Sequence, residues 1–387
     1  MNGRGQGVAS ARRQGGVVLL LMLIVVLLGS ATLLVGRLNQ AAELRQNRAQ
    51  DVKALAAARQ ALLGAAVIDP AQPGRLPCPD ADDDGLAEAA CAAAASRLGR
   101  FPWRSLNAGD LRDSAGERLW YAVSNSHRPG GSVRLNSDTA GGLSVDGSAD
   151  VVAVLLAPGA PLTGQNRANS NSRNAYLEDD NNDLDASYVT QAPPPPPGDP
   201  PAFNDAVLAV TRGELMQAVE RRVLAEVRRA LLNYYALNNY FPYAAVIGDG
   251  GYNCANTLTR GALPLASGAP PLPFAACGGV PNLAADLPAW FLANDWAAVT
   301  YYTVAPGCTP GTVNCSGAGR LTVTNLTPPG NQQALVIAAG QALGGQARPP
   351  GAVNDWLDSA ENSDGDDVYT AVAVSAASND QLRVVAP

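Results

Sequence analysis

The chain is poor in the residues from which most catalytic and metal centres are built. It holds one histidine, His127, and one lysine, Lys53. No CxxC pair, HExxH helix, phosphate-binding loop or GxSxG elbow occurs in its 387 residues, which removes the usual zinc, nucleotide and serine-hydrolase signatures. No enzymatic activity is expected from such a set. Charged residues make up 16% and the net charge is −7. Cations cluster only at the N-terminus and on one helix, so nucleic acid is not an expected partner.

Hydrophobic residues make up 47%, enough for two or three cores of ordinary size. Six cysteines fall into three local pairs, Cys78 with Cys91, Cys254 with Cys277, and Cys308 with Cys315. An even count at these spacings predicts disulfides and an oxidising compartment.

From Gly15 to Val35 the chain carries no charge. About twenty apolar residues span a bilayer as a helix, so this run reads as a transmembrane anchor. Arg4, Arg12 and Arg13 precede it without an acid, while Arg37, Arg45 and Arg48 follow. The arginines in front favour a cytoplasmic start, and the cysteine pairs favour an exported C-terminal region. Residues 36–68 continue at helical spacing through Leu38, Leu44, Val52, Leu55, Leu62 and Leu63, with no proline before Pro70.

The junction Arg12-Arg13-Gln14-Gly15-Gly16 followed by the apolar run resembles the leader of type IV prepilins and of type II secretion pseudopilins. That resemblance implies a prepilin peptidase cutting after Gly16, a methylated Val17 as mature N-terminus, and other pilins or pseudopilins as partners through the N-terminal helix. Most members carry glutamate at the fifth place after the cut. Here it is Leu21, which resembles the pseudopilin that caps a filament tip. An uncleaved signal anchor and a secretory signal ending near Ala31 are the alternative readings of the same residues.

The body is written twice. The segment from Val154 through Gly159, Leu162, Gly164 and Gln165 to Arg167 recurs from Leu335 through Gly340, Leu343, Gly345 and Gln346 to Arg348, at a constant shift of 181 residues. Tyr121 and Tyr302 keep that shift, as do Asp183, Asp185 and Tyr188 against Asp364, Asp366 and Tyr369. A second amphipathic helix is predicted over 213–237, with Leu215, Val219, Val223, Val227 and Leu231 on one face and Glu220, Arg221, Arg228 and Arg229 on others. Strands are predicted over 119–124, 151–156 and 206–211 in the first half, and over 299–304, 320–324, 334–338 and 381–385 in the second.

The expected fold is therefore α+β: a long N-terminal transmembrane helix followed by two tandem pilin-like domains, each a helix plus a small antiparallel sheet. Its parts would be a leader at 1–16, an anchor at 17–36, a first domain at 37–212 with a Pro-rich insertion at 191–201, and a second at 213–387. The expected location is a bacterial inner membrane, crossed once, with the C-terminal region periplasmic.

Only acidic loops offer ligand chemistry. Asp80, Asp82 and Asp84 followed by Gly85 match the opening of a calcium loop, with Glu88 as a further candidate. Asp183 with Asp185, and Asp364 with Asp366, occupy equivalent acidic loops in the two halves. Major pseudopilins carry calcium near their C-terminal strands, so the resemblance implies the same cation there; a solvated acidic turn is the other reading. His127 reads as a solvated loop residue. The function expected is a minor pilin or pseudopilin acting by assembly, the alternative a membrane-anchored, calcium-dependent binding or adhesion protein that does not polymerise.

Overall fold

The computed structural model describes residues 14–168, 171–193, 196, 199–247, 257–265 and 283–387. Cys254, Cys277 and the arginines before residue 14 lie outside these. Helix α1 (Gln14–Ile68) is 55 residues long. Its C-terminal half buries Ala54, Leu55, Ala58, Leu62 and Ala66, one stripe repeating every four residues. It ends where Asp69 accepts hydrogen bonds from the backbone N–H groups of Ala71 and Gln72, turning the chain at Pro70.

Three short pieces of sheet follow, β1 (Leu98–Arg100), β2 (Trp120–Val123) and β3 (Leu143–Val145). Asp146 and Gly147, both at positive φ, form the two-residue turn into β4 (Ser148–Ala157). Seven consecutive β4 residues from Val151 to Ala157 are buried, which makes it the central strand. It pairs with β2, β3 and β6 (Ala206–Thr211), while β5 (Ser187–Tyr188) pairs with β3.

Thr211 caps helix α2 (Arg212–Asn238) by accepting from the Glu214 N–H, and left-handed Asn239 ends it. The second sheet runs β12 (Gln381–Ala386), β10 (Ala334–Ala338), β8 (Thr300–Val304), β7 (Arg260–Ala262). A separate pair joins β9 (Thr322–Val323) to β11 (Val368–Tyr369). The shift of 181 residues maps β2 onto β8, β4 onto β10 and β5 onto β11. Tyr121 and Tyr302 each donate to a proline carbonyl, Pro77 and Pro242.

Several expectations are corrected. Among the described residues no helix is long and apolar enough to cross a membrane. The transmembrane anchor, and with it the single-pass inner-membrane location, is thus replaced by one long helix whose residues 19–28 are apolar and exposed. The sheets are mixed: β3 with β5, and β9 with β11, run parallel. One hydrophobic cluster draws on both halves, with Leu62 of α1, Val223 of α2, Val152 of β4 and Val336 of β10; a second, smaller one gathers Trp120, Leu156 and Tyr176 in the first half.

Polar contacts join the halves around the larger cluster. Arg59 pairs with Glu214, and Arg222 donates to the Val67 and Asp69 carbonyls while its guanidinium lies 4.8 Å from the Trp290 ring. Such stacking uses the planar cation that lysine lacks.

Candidate functional site

Two features at opposite ends of the size scale could act on other molecules. The larger is the free end of α1. From Leu19 to Leu28 ten large apolar side chains are 42–72% exposed. Leu34, Val35, Leu38 and Leu44 extend the surface at 55–61% exposure. Leu21 is among the exposed residues, and Gly16 with Val17 falls in the opening turns of the helix. An apolar surface this long is unusual on a protein that acts alone in water.

The smaller is the loop closed by the Cys78–Cys91 disulfide, whose Cα atoms are 5.7 Å apart. Asp80 is buried at its base and accepts from the N–H groups of Asp82, Asp83 and Gly85 at 2.7–3.2 Å. Burial raises its carboxyl above the ordinary value, and the Gly85 and Asp83 N–H groups work against that rise. Oxygens of Asp80, Asp82 and Glu88 lie within 4.8 Å of one another, the one carboxylate trio so arranged among the described residues. Asp84 turns away to accept from the Leu86 N–H at 2.7 Å. Glu88 accepts from the Ala81 N–H at 3.2 Å, so backbone donors already hold the loop together.

Asp183, Asp185, Asp364 and Asp366 do turn-making work. Asp183 accepts from the Asp185 N–H, and Asp185 from the Ser187 N–H; Asp364 and Asp366 do the same for Asp366 and Val368. These turns feed the chain into β5 and β11. The second disulfide, Cys308–Cys315, closes the turn after β8.

A constellation that motif reading missed appears once in each half. In the first, Gln165 donates to Glu178 at 2.6 Å, the Asn204 N–H donates to the other Glu178 oxygen at 3.1 Å, and the Glu178 N–H donates to Asp205 at 3.1 Å. In the second, Gln346 donates to Asp358 at 3.1 Å, the Asn379 N–H donates to the other Asp358 oxygen at 2.7 Å, and the Asp358 N–H donates to Asp380 at 2.6 Å. Asn204 and Asn379 also donate to the carbonyls of Ala160 and Gln341. Asp205 is 4% exposed and Asp380 5%. Each keeps one carboxylate oxygen, Oδ1, buried with no hydrogen-bond donor. Burial, followed by the charge of Glu178, pushes Asp205 up to about 8. Asp380 rises to about 7, again chiefly through burial. The signal was present in the sequence as Asn-Asp pairs before both closing strands and glutamines in register.

Two further groups sit differently from their expected places. Glu220 is buried within α2, accepting from Ser137 at 2.6 Å and Gln381 at 2.5 Å. His127 is fully buried instead of solvated. Its Nδ1 lies 2.9 Å from Ser126 Oγ, and burial with the neighbouring Arg212 charge lowers it to about 4. Ser126 Oγ donates to the Ala140 carbonyl, which leaves Nδ1 as the donor toward that oxygen and not the base that would activate it.

Set against known protein families, curated proteins and solved structures, the chain matches none.

Proposed function

We propose that this protein is a structural subunit of a filament, resembling the minor pilins and pseudopilins of type IV pili and type II secretion, and that it acts by packing the free end of α1 among like helices. The observation that supports the reading most directly is the ten-residue apolar surface at one end of a helix whose other end is locked into the head. Covering ten such side chains, each already half-screened by its own helix, contributes on the order of 10 kcal/mol or more. Association costs about 4–15 kcal/mol. Contact with one neighbour covers only part of a helix, so several neighbours are needed to offset that cost, and a filament supplies them.

Sedimentation velocity tests the reading. The wild-type chain should form large species as concentration rises, and Leu23→Asp with Val26→Asp should remain monomeric with an unchanged head. A wild-type chain monomeric at every concentration would remove the proposal and favour a binding protein that acts alone. Processing belongs to the same proposal: mass spectrometry of the native protein should find methylated Val17 at the N-terminus. We also propose a hard cation for Asp80, Asp82 and Glu88 alone. Calorimetric titration with calcium chloride should then give heat that Asp82→Asn abolishes, and absence of heat in the wild type would withdraw it.

A further inference from the structure

The closing strand of each half is held by the duplicated carboxyl pair just described. Asp205 immediately precedes β6, and Asp380 immediately precedes β12. Both strands lie at the edge of their sheets, pairing with β4 and β10 on one side only. In both halves every carboxylate oxygen of the pair but one has a donor, and the exception is the same oxygen of the same residue. In each half the two carboxyls draw their donors from the same short turn, and two carboxylates set together in a dry site repel unless one carries a proton. A proton on the oxygen that lacks a donor removes that repulsion.

We propose that each pair is a one-proton latch: a carboxylic acid at Asp205 or Asp380 donates to the carboxylate of Glu178 or Asp358, and loss of that proton to water releases the edge strand beside it. On opening, the carboxyl O–H bond ionises, the proton passes to solvent and two carboxylates remain. No other reactant is needed. The device holds whether or not α1 assembles.

The charges around each latch are few. Arg167 stands behind the first, donating to the Gly159 and Ala175 carbonyls and paired with Glu117 at 3.3 Å. Asp113 accepts from the Gly159 N–H. From the helices packed on β6 come the Arg59–Glu214 pair and Arg212 with Asp150. Arg348 stands behind the second latch, donating to the Gly340 and Asp355 carbonyls and paired with Asp138. Asp355 itself accepts from Gly351 and Ala352. Glu220 reaches β12 from α2 through Gln381, with Arg221 beside it. Glu220 also holds a proton near neutrality, so the first latch gives the cleaner reading, and the second is read in Glu220→Gln.

The sign follows from the two end states. The closed latch keeps its proton up to about 8 in the first half, whereas an open, solvated aspartate loses it near 4. Between those values opening releases one proton, so its equilibrium constant rises about tenfold per pH unit and levels off above about 8.

Hydrogen exchange by mass spectrometry over pH 5–9, corrected for intrinsic exchange rates, tests this on the full chain. Protection over 206–211 should fall about tenfold per pH unit up to about pH 8. In Asp205→Asn, whose amide donates but cannot ionise, the slope over 206–211 should vanish while that over 381–386 persists. Equal slopes in the variant and wild type would overturn the proposal, as would pH-independent protection in the wild type. Should the variant not fold, the wild type labelled with carbon-13 at its aspartate carboxyls decides. Resonances titrating near 8 and 7 sustain the latches, and titration of every aspartate below about 5 overturns them.

Discussion

Glu220 makes the join between the halves sensitive to pH. Its carboxylate gathers Ser137 from the first half and Gln381 from the second onto α2, and burial pushes it up to about 7. The folded chain therefore binds a proton there that the unfolded chain has lost above about 4.5, and stability falls as pH rises from there to about 7. Urea unfolding should show this decline, and Glu220→Gln should flatten part of it. Cys78 and Cys91 give a second residue-scale prediction. Their bridge closes a separation of 13 residues, so replacing both with serine should cost about 3 kcal/mol in the same measurement. The disulfides at Cys78–Cys91 and Cys308–Cys315 were legible from spacing alone, because each pair spans one local loop. The Glu220 site was not. A glutamate among the polar positions of an amphipathic helix reads as solvated, and its partners lie 83 and 161 residues away. His127 was misread for the same reason, since Arg212 of α2 and Asp150 of β4, whose charges act on it, are far from it in the chain.

At the scale of elements, α1 has two ends with opposite energetics. Leu62 is fully buried in the core, while Leu23 is 60% exposed. Leu62→Ala should therefore cost about 2–5 kcal/mol of folding stability. Leu23→Ala should cost the monomer under about 0.5 kcal/mol in the same denaturation experiment. Helix α2 was legible nearly to the residue, since its apolar stripe recurs every four positions. Strands β4, β6, β8 and β10 were legible too, from short runs of branched residues and a repeated register. The parallel pairs β3 with β5 and β9 with β11 were not. Strands of two or three residues carry no periodicity, and their partners are chosen by the loops that deliver them.

At the scale of the molecule, the two halves of the internal repeat share apolar surface. Helix α1 packs on the first sheet, α2 packs on the second, and the helices pack together, so that apolar surface from both halves merges. One cooperative unfolding transition is expected, with loss of both sheets at a single urea concentration. Two resolved transitions would show that the merged core is weaker than its composition implies. The sequence's doubling was plain, but merging depends on side chains from four elements meeting in space. The bare end of α1 projects from this merged head, and its residues 19–28 are the feature on which the proposed assembly rests. A photo-crosslinking residue at position 23 of the purified full chain tests that most directly. The account predicts crosslinks to residues 19–30 of a second copy; crosslinks confined to the same chain's head, or none between copies at any concentration, would contradict it.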